Sequence, residues 1–170
     1  MFSVHPCAIP HQALLRKYVG GRAYTDCYCV ELPLSVSHAQ YVSAFYTTWI
    51  FKLERLLLRW LFARPSLDSE AHSLGDGDSD RFAAWEVEAR AQNQLLMCDF
   101  QGRTRSWLML SPLQEAGTTR LHFGSAVIAA SDPDTGEARF STLFHLLIGF
   151  HKLYSRILLQ AAKTRLLHTA

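Results

Sequence analysis

Hydrophobic and polar positions alternate along this chain with one of two periods, and the switches between them divide it into elements. From Arg22 to Leu32 the period is two. Tyr24, Asp26, Tyr28, Val30 and Leu32 alternate with Thr25, Cys27, Cys29 and Glu31, which predicts a strand closed by Pro33. Ser37 and Gln40 have the spacing of a capping box and should start a helix. Helical character runs on to about Ala63, where Arg64-Pro65 stops it, and the β-branched pair Thr47-Thr48 predicts a kink or two successive helices. Residues 64–80 are polar, carry a Gly-Asp-Gly-Asp turn signal, and predict a loop or a short helix plus loop. Period two then returns until about Ala130, with strands expected at Phe82–Arg90, Gln94–Phe100, Arg103–Ser111 and Thr118–Ala130. Gln101-Gly102 marks a tight hairpin. Ser131–Arg139 is the expected loop into the last element.

That element, Ser141 to Leu167, reads as an amphipathic helix of about seven turns. At about 100° per residue, one side collects Leu143, Leu147, Phe150, Tyr154, Ile157, Leu158 and Ala161. His145, Lys152, Arg156 and Lys163 fall opposite. His151 and Tyr154 are the polar interruptions of the apolar face, and Ser141 stands at the N-cap position. A strand, a helix pair, a run of antiparallel strands and a long final helix together predict an α+β fold. In it a curved antiparallel sheet of five to seven strands wraps around the C-terminal helix, a helix grip. Residues 1–21, with Pro6, Pro10 and Gly20-Gly21, read as an irregular leader with a helical turn around Leu14 to Tyr18, and residues 22–170 as one domain.

The hairpin turns indicate which side chains share a face. Closing on Gln101-Gly102 pairs Cys98 with Arg105 and Leu96 with Trp107, and the turn at Ala91–Asn93 adds Trp85 and Val87 to the same side. This face is the better candidate for the side under the helix, and a bulge would reverse part of it. Arg105 is then a cation among Trp, Phe and Met, where it needs a carboxylate partner or an anionic ligand. In one reading Arg105 anchors an acidic group, Trp85 and Trp107 are apolar walls, and His151 and Tyr154 reach down from the helix. In the other, Arg105 sits at the sheet rim, solvated or paired with an acid. His151 is then a core histidine bonded to a backbone carbonyl, and Tyr154 and the tryptophans simply pack.

Composition narrows the function classes. In 170 residues a net charge of +2 with no dense basic tract does not suit nucleic acid. Four scattered cysteines are too few for a disulfide framework and read as free thiols of a cytoplasmic protein. The first residues lack the charge and apolar run of a signal peptide. Trp49–Phe62 is the one candidate membrane segment, but Lys52, Glu54, Arg55 and Arg59 interrupt it, so neither a span nor membrane contact is expected. Asp76, Asp78 and Asp80 have the alternation of a calcium loop without its glycine or glutamate, and predict a solvated acidic loop. Cys27 and Cys29 point to one side of a strand, but no second Cys or His pair at ligand spacing accompanies them. No metal site and no cofactor are expected. Ser106, His122 and Asp99 form a triad only on paper.

Three segments carry a family resemblance. Phe82–Arg90 (FAAWEVEAR), Gly102–Met109 (GRTRSWLM) and Thr119–Gly124 (TRLHFG) resemble an uncharacterised bacterial branch of the START-like helix-grip superfamily (SRPBCC), which includes the birch-pollen allergen and polyketide cyclases. The resemblance spans about residues 22–167. It implies seven strands where five are clear, with the missing hairpin falling in 64–80. The superfamily carries ligand binders, lipid carriers, cyclases and dehydratases, so it implies a container rather than its contents. The leading expectation is a small apolar or amphipathic ligand held between sheet and C-terminal helix. A cyclase- or dehydratase-type enzyme using His151 or Tyr154, and a filled-core interaction protein, are the alternatives.

Overall fold

The computed structural model describes residues 3–21, 23–53, 67–113, 117–128 and 142–169, with side chains in the last segment described from Gly149 onward. Its centre is an open, curved antiparallel sheet of seven strands: β1 (His5–Pro6), β2 (Ala23–Leu32), β3 (Arg81–Phe82), β4 (Trp85–Ala91), β5 (Gln94–Asp99), β6 (Thr104–Pro112) and β7 (Thr119–Ile128). The spatial order is β1-β2-β7-β6-β5-β4-β3. Helices with both ends among the described residues, or reaching their limit, are α1 (His38–Tyr46), α2 (Asp68–Asp76) and α3 (Thr142–Thr169). This is the predicted α+β helix-grip arrangement.

Local signals act where the pattern placed them. The Ser37 hydroxyl accepts from Gln40 N–H at 3.1 Å, and the Gln40 side chain accepts from Ser37 N–H at 2.7 Å. Helix α1 ends at Tyr46 because Thr47 and Thr48 turn their hydroxyls onto the Ser43 and Phe45 carbonyls. A second helical run starts at Trp49 and is described to Leu53. The rest of the helix expected to Ala63, with Arg55 and Arg59, lies outside the described residues, as do the 131–139 loop and the Ser141 cap. The turn Leu14–Tyr18 is a 3₁₀ helix.

Two expectations about strands are corrected. Residues 68–76 form α2, closed by Gly77 at φ 89°, the short helix that the residues of 64–80 predict, in place of the hairpin that the resemblance implies there. The two additional strands are β1 in the leader and β3, each two residues long and too short to show alternation.

The faces are corrected as well. Cys98 pairs with Arg105 and Leu96 with Trp107, as the hairpin requires. A bulge between Val87 and Ala89 then reverses β4, so Trp85 and Val87 pair with Asp99 and Met97, while Ala89 pairs with Leu96. Trp85 and Trp107 therefore lie on opposite faces. The face under the helices carries Val30, Leu95, Met97, Leu108 and Phe123, packed with Tyr41 and Phe45 of α1 and Leu158 and Leu159 of α3. Leu96, Trp107, Met109 and Cys27 lie on the outer face, where Ala13 and Leu15 of the leader cover them. Runs such as Leu95-Leu96-Met97 and Trp107-Leu108-Met109 are apolar at every position, so neither parity looked like the solvent side. Close approach of the leader requires Gly124, because a Cβ there would stand 2.6 Å from Leu15 Cδ2 and 3.0 Å from Trp107 Cε3.

Helix α3 is rotated from its expected orientation. It packs on β2, β7 and α1 through Ser155, Leu158, Leu159, Ala162 and Leu166, all buried, while Phe150 is 67% exposed. The small Ser155 and Ala162 let the backbone approach the sheet closely. The apolar positions of this helix exceed what one interface needs, so the widest stripe in sequence was not the buried one.

Candidate functional site

The register of three strands builds a polar row across an otherwise apolar inner face. Asp26 on β2 pairs with Ser125 on β7, which pairs in turn with Ser106 on β6. Each projects toward the helices, because it shares parity with Tyr28, Phe123 or Leu108. Helix α1 brings Tyr46, whose hydroxyl lies 3.3 Å from Ser106 Oγ. Helix α3 brings His151, whose Nε2 is 2.6 Å from Ser125 Oγ. The Ser125 hydroxyl donates to Asp26 Oδ1 at 2.6 Å, so the imidazole Nε2–H donates to Ser125. Tyr24 donates to Asp26 Oδ2 at 3.4 Å.

The chemistry of this chain differs from a nucleophilic triad. There the carboxylate holds Nδ1 and leaves Nε2 to activate the hydroxyl. Here carboxylate and hydroxyl both stand on the Nε2 side, with Asp26 Oδ2 3.9 Å from that nitrogen, and Ser125 is only 1% exposed. The row instead fixes the orientation of the imidazole through Ser125 and Asp26. Burial holds His151 below the ordinary imidazole range, although Asp26 pulls it the other way. Burial and Asp26 both push the Tyr24 phenol above its ordinary value.

Beside this row lies a cleft of about 560 Å³, between β2 and the first described turns of α3. Tyr24, Asp26 and Tyr28 form the sheet wall, and Lys152, Leu153 and Arg156 the helix wall. Pro6, Cys7 and Ile9 of the leader close the far side. Lys152 Nζ lies 5.8 Å from the Tyr24 ring centre. The cleft thus joins an aromatic and aliphatic lining to two cations and one carboxylate. Under α1 the inner space is filled by Tyr46, Phe45, Phe51 and Phe82, with ring centres as close as 4.9 Å. A second groove of about 540 Å³, between the ends of α1, α2 and α3, has a mixed lining of serines, Val36, Leu166 and Arg165, and there Ser43 and His72 are bonded at 2.7 Å.

Of the five residues singled out in the sequence, the structure brings only His151 to this site. Its partner is a serine hydroxyl rather than a backbone carbonyl. Tyr154 stacks on Phe150 at 6.0 Å and packs partly against the inner core. Trp85 packs at the inner face near the β3–β4 turn. Trp107 is fully buried on the outer face, its indole N–H bonded to Gln94 at 3.0 Å. Arg105 is also on the outer face, where its Nε bonds Glu88 at 2.9 Å and the Tyr18 hydroxyl at 2.8 Å. The guanidinium has found its carboxylate inside the chain, and no anionic ligand is needed to account for it. Burial raises the Glu88 carboxyl, but bonds from Lys17, Tyr18 and Arg105 outweigh that and hold it below the usual range. The paper triad is not assembled: Asp99 caps the β5–β6 turn through Arg103 and Thr104 N–H, Ser106 faces inward, and His122 faces outward.

Asp26, Ser125, Tyr24, Lys152 and Arg156 escaped the sequence reading. One signal was present: Asp26 is an acid at an inward position of the β2 alternation, where burial demands a partner. Comparison with protein-family models, with curated proteins and with solved structures finds no match.

Proposed function

We propose that the protein binds a small amphipathic molecule with an acidic group in the cleft between β2 and α3, as a member of the START-like helix-grip superfamily would. The observation that carries this reading is the pairing of Lys152 and Arg156 with Tyr24, Tyr28 and Leu153 around one open space. The cations receive the acidic group, and the aromatic and aliphatic walls take the body. Native mass spectrometry of the purified protein would reveal a retained molecule directly. Anilinonaphthalene sulfonate is a suitable probe in solution: it should bind at one saturable site and weaken about 10-fold or more when Lys152 and Arg156 are both changed to Ala. Uncharged phenylnaphthylamine should be insensitive to that change. Sulfonate binding that is unsaturable, or indifferent to the two cations in a normally folded variant, would discard the reading.

A second reading is a cyclase- or dehydratase-type enzyme, favoured by one observation: a neutral histidine held by Ser125 and Asp26 beside the cleft. The imidazole would exchange a proton with the bound molecule, and the Ser125–Asp26 pair would compensate the charge. His151→Asn should then retain the molecule found by mass spectrometry but leave it unconverted. Conversion at the parental rate would remove His151 from the chemistry.

A further inference from the structure

The outer side of β2 gathers a second group of reactive side chains, which the cleft reading does not use. Alternation turns Cys27 and Cys29 to this face, with β1 on one flank of the strand and β7 on the other. Register sets His5 opposite Cys29 on the first flank and His122 opposite Cys29 on the second. Just past β1 the chain lays Cys7 over Cys27, its N–H bonded to the Cys27 carbonyl at 3.0 Å. Cys7 Sγ is 3.3 Å from Cys27 Sγ and 3.9 Å from His122 Nδ1, and the three atoms lie within 4.8 Å of one another.

Those separations fit a metal ion. With zinc–sulfur bonds of about 2.3 Å and zinc–nitrogen bonds of about 2.0–2.1 Å, tetrahedral ligand atoms stand about 3.5–3.8 Å apart. We infer that Cys7, Cys27 and His122 bind a zinc-like transition-metal ion on the outer face of the sheet, with Cys29 next in line for the fourth position. Cys29 shares this face, two residues along β2 from Cys27, and its Sγ stands 3.3 Å from His5 Nε2. The histidine is prepared for this role. Its Nε2 lies 3.4 Å from Ser111 Oγ, which leaves the Nδ1 lone pair toward Cys7.

Thiolates and imidazole select zinc and its soft neighbours over magnesium or calcium. Each ligating thiol releases one proton to solvent, so two thiolates neutralise a divalent ion. Cys7 and Cys27 also line the cleft, which gives an ion its way in. The sequence pattern contained no second ligand pair beside Cys27 and Cys29. The partners come from residue 7 and from residue 122, and only strand register unites them.

The test is titration of the full, reduced, metal-stripped chain with cobalt(II), followed by zinc. One equivalent of cobalt should give the thiolate charge-transfer and intense visible bands of a tetrahedral sulfur site, displaced by one equivalent of zinc. Cys7→Ser and Cys27→Ser should each lower affinity by more than about 100-fold, and Ser111→Ala by about 10-fold. Cys98→Ser should change nothing. Absence of uptake, weak bands of octahedral oxygen ligation, or unaltered bands in Cys7→Ser would overturn the inference, as would a Cys7–Cys27 disulfide that persists in reducing buffer. Cys7 lies in the partly exposed leader, so its variant keeps the test decisive should Cys27→Ser fail to fold.

Discussion

The inner face of the sheet is covered by two helices and packed with aromatic rings, whereas an irregular leader covers the outer face, which carries an ion-pair network and the three clustered thiols. The two covers differ in kind. Helices α1 and α3 bring their own backbone hydrogen bonds and need only present apolar side chains. The leader has little regular structure, so side chains must tie it down. Gln94 does so directly, accepting from Leu14 N–H at 2.9 Å and donating to the Gln12 carbonyl at 3.0 Å. Tyr18 and Lys17 do so through Glu88 and Arg105. The difference teaches why the leader is tied down by side-chain bonds as well as by Leu15: a cover without secondary structure must find partners for its backbone groups elsewhere.

Four measurements sharpen or break that comparison. The largest effect should come from emptying either core. Phe45→Ala inside and Trp107→Ala outside should each cost about 3–5 kcal/mol in denaturant unfolding. A Trp107→Ala loss below about 1 kcal/mol would mean that the outer face is a lightly held cover and not a second core. Next, Arg105→Met should cost about 1.5–3 kcal/mol, because Glu88 keeps Lys17 and Tyr18 but loses its more deeply buried cation, while sulfonate binding in the cleft stays unchanged. A fall in sulfonate affinity would return Arg105 to the ligand.

Gly124→Ala should cost about 1–3 kcal/mol by pushing Leu15 off the sheet. Leu15→Ala should then be less harmful in that background than alone, a coupling read from the double-mutant cycle. Additive losses would show that the leader does not rest on this glycine. The smallest effect is one of pH, followed as melting temperature in metal-free protein. Burial holds His38 and His151 on the inner face, and His122 on the outer, below the ordinary imidazole range. Arg90 adds to this at His38, while Asp26 opposes it at His151. The unfolded chain therefore takes up protons first, so stability falls as pH drops through about 6.5. Glu88 is held low, so its contribution is present above about pH 4.3 and is lost as pH falls further. Glu88→Gln should abolish the second fall and leave the first. Loss of both together would show that the two faces do not titrate separately.

Much of the architecture was legible from local chemistry. The Ser37–Gln40 box, the break at Thr47-Thr48, the turn within Ala91–Asn93 and that at Gln101-Gly102 each act within a few residues, and each is where the pattern put it. The pairing of Cys98 with Arg105 followed from the second turn. The candidate site was far less legible. His151 stood out as a polar break in an apolar stripe, but Arg105 and Trp107 were assigned to a face they do not occupy, because the β4 bulge and the leader's cover leave no mark in the alternation.

The sequence by itself determined the longer elements, their order, the β5–β6 register and therefore the α+β class, since turns, caps and periodicity are properties of neighbouring residues. Tertiary structure alone decided which face of the sheet meets the helices and how α3 is rotated on it. It also decided that Asp26 would meet Ser125 and His151, and Cys7 would meet Cys27 and His122. Those choices rest on a one-residue register shift and on the competition of two covers for two apolar faces, and both are settled only when the whole chain packs.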